Sequence, residues 1–330
     1  MKSFVSTTDM SIDELDGFLD FAAEVKAGKV NTKLAGKTLG MVFFNSSLRT
    51  RTSFEAGMFQ LGGHALVLSV GQGLWNLEYR DGVVMNEDKA EHIKEAVPVL
   101  SRYVDSLSVR CFPFGNDWAE DKSDPVISAF AKYAEVPVIN MESAMWHPCQ
   151  ALADALTMKE QGLKTGDKVV LSWAYHPKAL PMAVPNSFLT VAAQRGLNVS
   201  VMSPKEYKLD KQVVADASAL AAKAGGSVTE IDDLAALGGA RIVYAKSWGS
   251  LQAYGDAAAE KAIRDKYKDW QVSEAWMDRT DNGKFMHCLP VRRNVVVSDG
   301  VLDSARSIVV DEAENRMHAQ KALLIKMLGA

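Results

Sequence analysis

The run Phe43-Phe44-Asn45-Ser46-Ser47-Leu48-Arg49-Thr50-Arg51-Thr52-Ser53-Phe54-Glu55 holds the densest group of residues able to do chemistry. An apolar segment ends in two serines and passes into a helical pattern with Phe54, Met58 and Leu61 on one face, stopped by Gly62-Gly63. Thr52 and Glu55 have the spacing of a capping box, which predicts a helix start near there. The free backbone N–H groups of such a start suit a phosphate, as do the hydroxyls of Ser47, Thr50 and Thr52 and the guanidinium of Arg49. A helix dipole contributes only about 0.3–1 kcal/mol, so the arginine and the hydroxyls must supply the rest. A capped helix with solvent-facing arginines accounts for the same residues without chemistry. No Walker-type glycine-lysine loop and no GxGxxG stretch is present.

These residues need elements to hold them, and the chain supplies an alternation of apolar runs and amphipathic stretches. Strands are predicted at Thr38–Phe44, His64–Ser69, Ser106–Cys111 and Val136–Asn140, then at Lys168–Ala174, Asn198–Ser203, Ser227–Ile231, Arg241–Ala245 and Lys284–Cys288. Helices are predicted at Leu15–Lys26, Arg51–Leu61, Glu91–Tyr103, Val126–Tyr133, Cys149–Gln161, Met182–Arg195, Val213–Ala224 and Glu312–Leu328. Such alternation implies an α/β protein of two similar domains, each a parallel sheet with helices on both faces. A length of 330 residues suits two such domains. Their junction falls near Glu142–Gln161, where one long helix can bridge both halves. Ligands of open α/β sheets sit at the carboxyl ends of strands, which is where Ser47 and Arg49 lie.

Composition narrows the field. The formal net charge of −4 gives no footprint for nucleic acid or an anionic membrane, so an anionic ligand must be drawn by local cations. Three scattered cysteines, Cys111, Cys149 and Cys288, argue against a disulfide framework or structural zinc and for a reducing, cytoplasmic setting. The six histidines are dispersed, and no metal or organic cofactor is expected. No signal core and no long uncharged apolar stretch appears.

Ser-x-Arg-Thr-Arg after a strand resembles the carbamoyl-phosphate motif of the aspartate and ornithine transcarbamylases. Four further segments match in order: Val109-Arg110, His147-Pro148-Cys149-Gln150, His287-Cys288-Leu289-Pro290 and Glu312-Ala313-Glu314-Asn315-Arg316. The resemblance spans almost the whole chain. It implies a carbamoyl-phosphate-binding domain at 1–146, an acceptor-binding domain at 147–310, and a last helix near 311–330 that packs back on the first. Carbamoyl transfer needs an activated carbonyl, a met phosphate charge and a neutral amine aimed at the carbon. Arg110 and His147 suit the carbonyl oxygen, with Thr50 as a third donor; one such donor is worth roughly a hundred- to a thousandfold in rate. Gln150, one turn beyond His147, suits the carbamoyl NH2. By resemblance, Ser47, Leu48, Arg49 and Arg316 complete the carbamoyl-phosphate site, and Cys288 and Leu289 face the amine and the carbamoyl NH2. The plainer readings are a helix cap at His147, a small core residue at Cys288 and an i,i+4 partner of Glu312 at Arg316.

The acceptor side departs from both classical branches. No Ser-Met-Gly loop is present; the corresponding segment is Ala245-Lys246-Ser247-Trp248-Gly249, and the aspartate branch's His-Pro-Leu-Pro-Arg is absent. The match is to the transcarbamylases of N-acylated ornithine. That likeness implies Trp75 donated from a neighbour in a homotrimer, Glu142, His176 and Lys246 around the ornithine moiety, and Arg292 at the acyl end. Trp75 read as plain core is the alternative. The acetyl enzymes carry a glutamate, also donated by the neighbour, at the position of Ala90, and can carry a lysine at that of Val296. Their absence favours N-succinylornithine, because a carboxylate there would repel the succinyl carboxylate. On the other side, Glu91 adjoins Ala90, and Asp311–Asn315 resembles the acetyl branch, so N-acetylornithine stays open. A non-catalytic carbamoyl-phosphate-binding module is the reading from another class. A Rossmann dehydrogenase lacks its glycine fingerprint.

Overall fold

In a computed structural model, residues 3–329 are described. Twelve strands run in chain order as β1 (Ser3–Phe4), β2 (Thr38–Phe43), β3 (His64–Ser69), β4 (Asn76–Glu78), β5 (Lys89–His92) and β6 (Ser106–Arg110), then β7 (Val138–Glu142), β8 (Lys168–Trp173), β9 (Asn198–Met202), β10 (Ser227–Ile231), β11 (Ile242–Lys246) and β12 (Lys284–Met286). The helices are α1 (Ile12–Lys26), α2 (Arg49–Gln60), α3 (Ile93–Tyr103), α4 (Trp118–Lys122), α5 (Pro125–Tyr133) and α6 (Pro148–Glu160). They continue with α7 (Ala183–Gln194), α8 (Lys211–Ala224), α9 (Ala257–Arg264), α10 (Glu274–Met277), α11 (Asp299–Leu302) and α12 (Val309–Leu328).

The strands form two five-stranded sheets, ordered β1-β7-β6-β2-β3 and β10-β9-β8-β11-β12, and every pairing in them is parallel. The apolar runs at β6, β7 and β11 are buried at every residue, as expected of parallel strands covered on both faces. In each sheet the strand order reverses once beside the cleft: between β2 and β6 in the first, and between β8 and β11 in the second. Such crevices are where open α/β sheets take ligands.

Two helices join the halves. In α6, every residue from Pro148 to Met158 is buried, so it is a helix of the interior and not of a surface. The chain then returns through α12, which packs on α6, α2 and α1. One apolar cluster accordingly runs from Phe4 and Phe54 through Leu152 and Leu323 to Phe188 and Tyr244, across both sheets.

The strand and helix expectations hold to within a few residues at their ends, and the α/β architecture with two parallel sheets is as anticipated. The capping box at Thr52 and Glu55 is not. Helix α2 starts at Arg49, Ser47 Oγ accepts from Thr50 N at 3.2 Å, and Thr52 Oγ1 donates back to Leu48 O at 2.8 Å. Glu55 pairs instead with Arg51, one turn away. The sequence spacing was right for a cap but the chain had already entered the helix at Arg49. Short elements were not anticipated: β1, the β4–β5 arm, and α4, α9, α10 and α11.

Leu323 of α12 is fully buried in the shared cluster. Leu323→Ala should cost about 2–5 kcal/mol through lost burial and an unfilled cavity. A lowered midpoint in chemical denaturation, relative to the parent protein, checks it.

Candidate active site

Three strand ends of the first sheet set the first wall of the cleft. Phe43 lies beside Arg110 in the β2–β6 ladder, and Arg110 beside Glu142 in β6–β7, where the register slips after Val109. Asn45 Oδ1 accepts from Phe112 N at 2.7 Å, tying the Ser46–Leu48 turn to the end of β6. The second wall comes from the other sheet. Lys246 ends β11 opposite Trp173 of β8, His176 follows β8, and His287-Cys288-Leu289-Pro290 follows β12 with a cis Leu289–Pro290 bond. His147 and Gln150 project from the start of α6, and Arg316 from α12.

Together these line a cleft of about 430 Å³. The residues brought together are Ser47, Leu48, Arg49, Thr50, Arg110, Glu142, His147, Gln150, His176, Lys246, Cys288, Leu289 and Arg316. Ser46 and Pro290, from the quoted motifs, also line it, as do Phe112, Leu180, Pro181 and Val184; sequence reasoning missed these four because no chemical signal marks an apolar wall. A larger hollow of about 640 Å³ adjoins it past Phe112, Leu180 and Pro181. That hollow is mainly apolar, and its buried Arg264–Glu260 pair is mutually neutralised, so the smaller cleft is where charge and donors converge.

Four cations, Arg49, Arg110, Lys246 and Arg316, face one carboxylate, Glu142, in a chain of net charge −4. The local field is therefore opposite to the overall one, as an anionic ligand requires. Arg110 Nη1 bonds Glu142 Oε2 at 2.5 Å, and His147 Nε2 stands 3.5 Å from the same oxygen. Arg316 donates to Gln150 Oε1 at 2.6 Å and to Thr50 Oγ1 at 3.0 Å, so it is no simple partner of Glu312. Glu312 instead accepts from Gln150 Nε2 and from His287 N.

Burial, reinforced by Arg316, Arg110, Lys246 and Arg49, holds the His147 imidazole well below its ordinary pKa. His147 side-chain atoms cap no helix N–H, and its Nδ1 has no hydrogen-bond partner among the described residues. Burial pushes the Cys288 thiol up to about 11, partly opposed by Lys246, so it is a thiol and not a nucleophilic thiolate. The site thus offers donors and fixed charge, with no thiolate at Cys288.

Three predicted residues stand apart from this cleft. Arg292 does not line it, but its Nε donates to His176 Nε2 at 3.0 Å, which places it at the rim. Trp75 and Ala90 lie on the β4–β5 arm, away from the cleft of their own chain. Trp75 is 55% exposed, so it is not a core residue, and its Nε1 donates to Glu91 Oε2 at 2.7 Å. Ala90 is the unpaired residue of a bulge, between Lys89 opposite Asn76 and Glu91 opposite Leu77.

Residues 2–160 match the family model for the aspartate/ornithine carbamoyltransferase carbamoyl-P binding domain, and residues 182–327 match that for the Asp/Orn binding domain. The chain belongs to the aspartate/ornithine carbamoyltransferase family. It falls in the N-acylornithine branch and is a transferase. It is 49% identical to the N-acetylornithine carbamoyltransferase of Xanthomonas campestris pv. campestris, over 100% of this chain and 98% of the relative. With the N-succinylornithine carbamoyltransferase of Bacteroides thetaiotaomicron it shares 38%, over 99% of each. Among solved structures, an N-acetyl-L-ornithine transcarbamylase with one glutamate replaced by alanine, complexed with carbamyl phosphate and N-succinyl-L-norvaline, superposes with a TM-score of 0.96. That protein is 48% identical, with 99% of this chain and 100% of that one covered.

Because the folded pKa of His147 is lowered, its ring stays neutral through neutral pH and charges only in more acid solution. NMR titration of its ring resonances between about pH 5 and 8 should show no protonation step near the ordinary histidine value. The stability this neutral ring gives is present above that value and is lost as pH falls below it.

Proposed function

We propose that the chain transfers the carbamoyl group of carbamoyl phosphate to the side-chain amine of N-succinyl-L-ornithine, giving N-succinyl-L-citrulline and phosphate, as a step of arginine biosynthesis in the cytoplasm. In this reading Ser47, Leu48, Arg49, Thr50 and Arg316 hold the phosphate. Arg110 and neutral His147, with Thr50, polarise the carbonyl oxygen. Gln150 and the backbone carbonyls of Cys288 and Leu289 take the carbamoyl NH2. Lys246, Glu142 and His176 seat the ornithine moiety, with Arg292 at the acyl end. The neutral amine attacks the carbonyl carbon, and the bond from that carbon to the phosphate oxygen breaks with its electron pair going to phosphate. The nitrogen's extra proton is taken up by the departing phosphate. Pre-aimed donors lower the barrier because they meet the oxygen's charge as it develops. Residues 1–146 form the carbamoyl-phosphate domain, with α12 returned to it, and 147–310 the acceptor domain. In a homotrimer, Trp75 and Ala90 of one subunit complete a neighbour's acyl pocket.

One observation carries the choice of acyl group: position 90 is alanine, and the nearest acid, Glu91, is already engaged by the Trp75 indole. A second carboxylate on the acyl chain then meets no like charge from position 90 itself, while Glu91 keeps its charge but is turned to the indole. The glutamate replaced by alanine in the solved relative that holds N-succinyl-L-norvaline is read here as the one whose place Ala90 takes. A buried valine, Val296, stands where the acetyl enzymes can carry lysine. N-Acetyl-L-ornithine is the second reading, favoured by the higher overall identity to the acetyl enzyme.

Transfer to N-succinylornithine, N-acetylornithine, ornithine and aspartate, measured side by side, should favour the succinyl compound. Ala90→Glu should move the ratio of kcat/KM values at least about tenfold toward N-acetylornithine. Preference for the acetyl compound in the parent protein would leave carbamoyl transfer standing and refute the reading of position 90. Separately, Arg49→Ala should lower kcat/KM at least about a hundredfold while the circular dichroism spectrum is unchanged; near-normal turnover would sink the carbamoyl-phosphate assignment. Binding of carbamoyl phosphate with turnover of none of the four acceptors would favour the non-catalytic module.

A further inference from the structure

Behind the cleft, two carboxyl groups lie side by side with no access to water. Asp154 of α6 and Glu312 of α12 are both fully buried, and neither lines the cleft. Both take the same amide nitrogen: Gln150 Nε2 donates to Asp154 Oδ1 at 2.7 Å and to Glu312 Oε1 at 2.9 Å. At the other end of that amide, Arg316 donates to Oε1. An amide with acceptors at its nitrogen and a donor at its oxygen has one satisfied orientation. Turned over, it would set its NH2 against the guanidinium and its oxygen against two acids that share at most one proton, forfeiting at least two of the three bonds.

Burial pushes Asp154 up to about 7, and burial followed by Asp154 itself raises Glu312 well above the carboxylate range. Two bare carboxylates this close in an interior would repel, so the pair retains a proton near neutral pH. The retained proton lets both acids stay on one amide nitrogen.

We propose that Asp154 and Glu312 are positioning residues for carbamoyl transfer, taking both N–H donors of Gln150 so that its carbonyl oxygen faces the cleft as an acceptor for the substrate's NH2. Arg316 occupies one lone pair of that oxygen and leaves the other for an incoming N–H. Glu312 does more with its second oxygen, which accepts from His287 N at 2.9 Å. One carboxyl thereby ties α12 both to α6 and to the entry of the Cys288–Leu289 turn. The inference rests on the carbamoyl-phosphate reading of the cleft.

The test is a double-mutant cycle on the full-length protein: Asp154→Ala, Gln150→Ala and the two combined, with Asp154→Asn as the conservative variant. Folding is checked by thermal unfolding, and kcat and KM for carbamoyl phosphate are measured with the best of the four acceptors. Asp154→Ala should lower kcat/KM about tenfold or more, by removing one of the two acceptors that hold the amide nitrogen. Asp154→Asn, whose oxygen still accepts from Gln150, should recover most of that loss. The double variant should be no slower than Gln150→Ala alone, because a residue acting through Gln150 has nothing further to lose. Losses that multiply in the double variant, or an asparagine no better than alanine in a folded protein, overturn the proposal. Should Asp154→Ala not fold, Glu312→Gln with and without Gln150→Ala is judged by the same additivity. If the parent protein turns over none of the four acceptors, the function reading fails, and the cycle is then read on carbamoyl-phosphate affinity by calorimetry with the same criteria.

Discussion

A guanidinium that is almost wholly buried has to be partnered, and in this chain that constraint falls on Arg316. Its exposure is 3%, and its two direct partners lie on two other elements, Gln150 on α6 and Thr50 on α2, while the acids that hold Gln150 sit on α6 and on its own helix α12. An isolated charge in such surroundings would cost several kcal/mol after relaxation. Meeting it draws the C-terminal helix back across the molecule, onto the helix that joins the two sheets and onto the start of α2. The apolar cluster through Leu152 and Leu323 supplies the packing energy; Arg316 and its partners supply the register.

The same economy of charge explains why the cleft is positive inside an acidic protein. Arg49, Arg110 and Lys246 converge because a helix start and two strand ends converge, and Arg316 joins them from two turns inside α12. Glu142 offsets part of that field by pairing with Arg110 and standing near His147. Burial in the midst of cations keeps the His147 ring neutral, and a neutral imidazole can donate a hydrogen bond without adding a fifth positive charge. Cys288 lies beside the same cations but remains a thiol because burial outweighs Lys246. The chemistry such a site favours is stabilisation of an oxyanion and a leaving anion, not covalent catalysis.

Overall identity and the role proposed for position 90 point in different directions, and there is a physical reason for that. Identity over a whole chain counts every position equally, whatever its part in the site. In the proposed reading, discrimination between an acetyl and a succinyl group turns on one like charge near the end of the acyl chain. Ala90, at the bulge of a short arm, and Glu91, held by Trp75, are few among 330 residues and weigh almost nothing in an identity figure.

Much of this molecule was legible in its sequence. Apolar runs with helical stretches between them determined the parallel α/β architecture, since period and length suffice to separate buried strands from amphipathic helices. Ser47 and Arg49 could be singled out because they follow the end of such a run, where the fold class itself puts ligands, and Arg110, His147 and Gln150 through the family resemblance of the segments that hold them. Local spacing misled at Thr52 and Glu55, which suit a cap, because the Ser46–Leu48 turn had already committed the chain to a helix at Arg49. Only the tertiary structure decided what long-range neighbours do. Asp154 reads in the sequence as one more polar residue of a helix, and Glu312 as an acidic helix start. Their joint hold on Gln150 spans 162 positions between Gln150 and Glu312, and no periodicity carries that far. Sequence patterns report which face of an element is apolar; which two elements share a buried amide depends on how those faces pack.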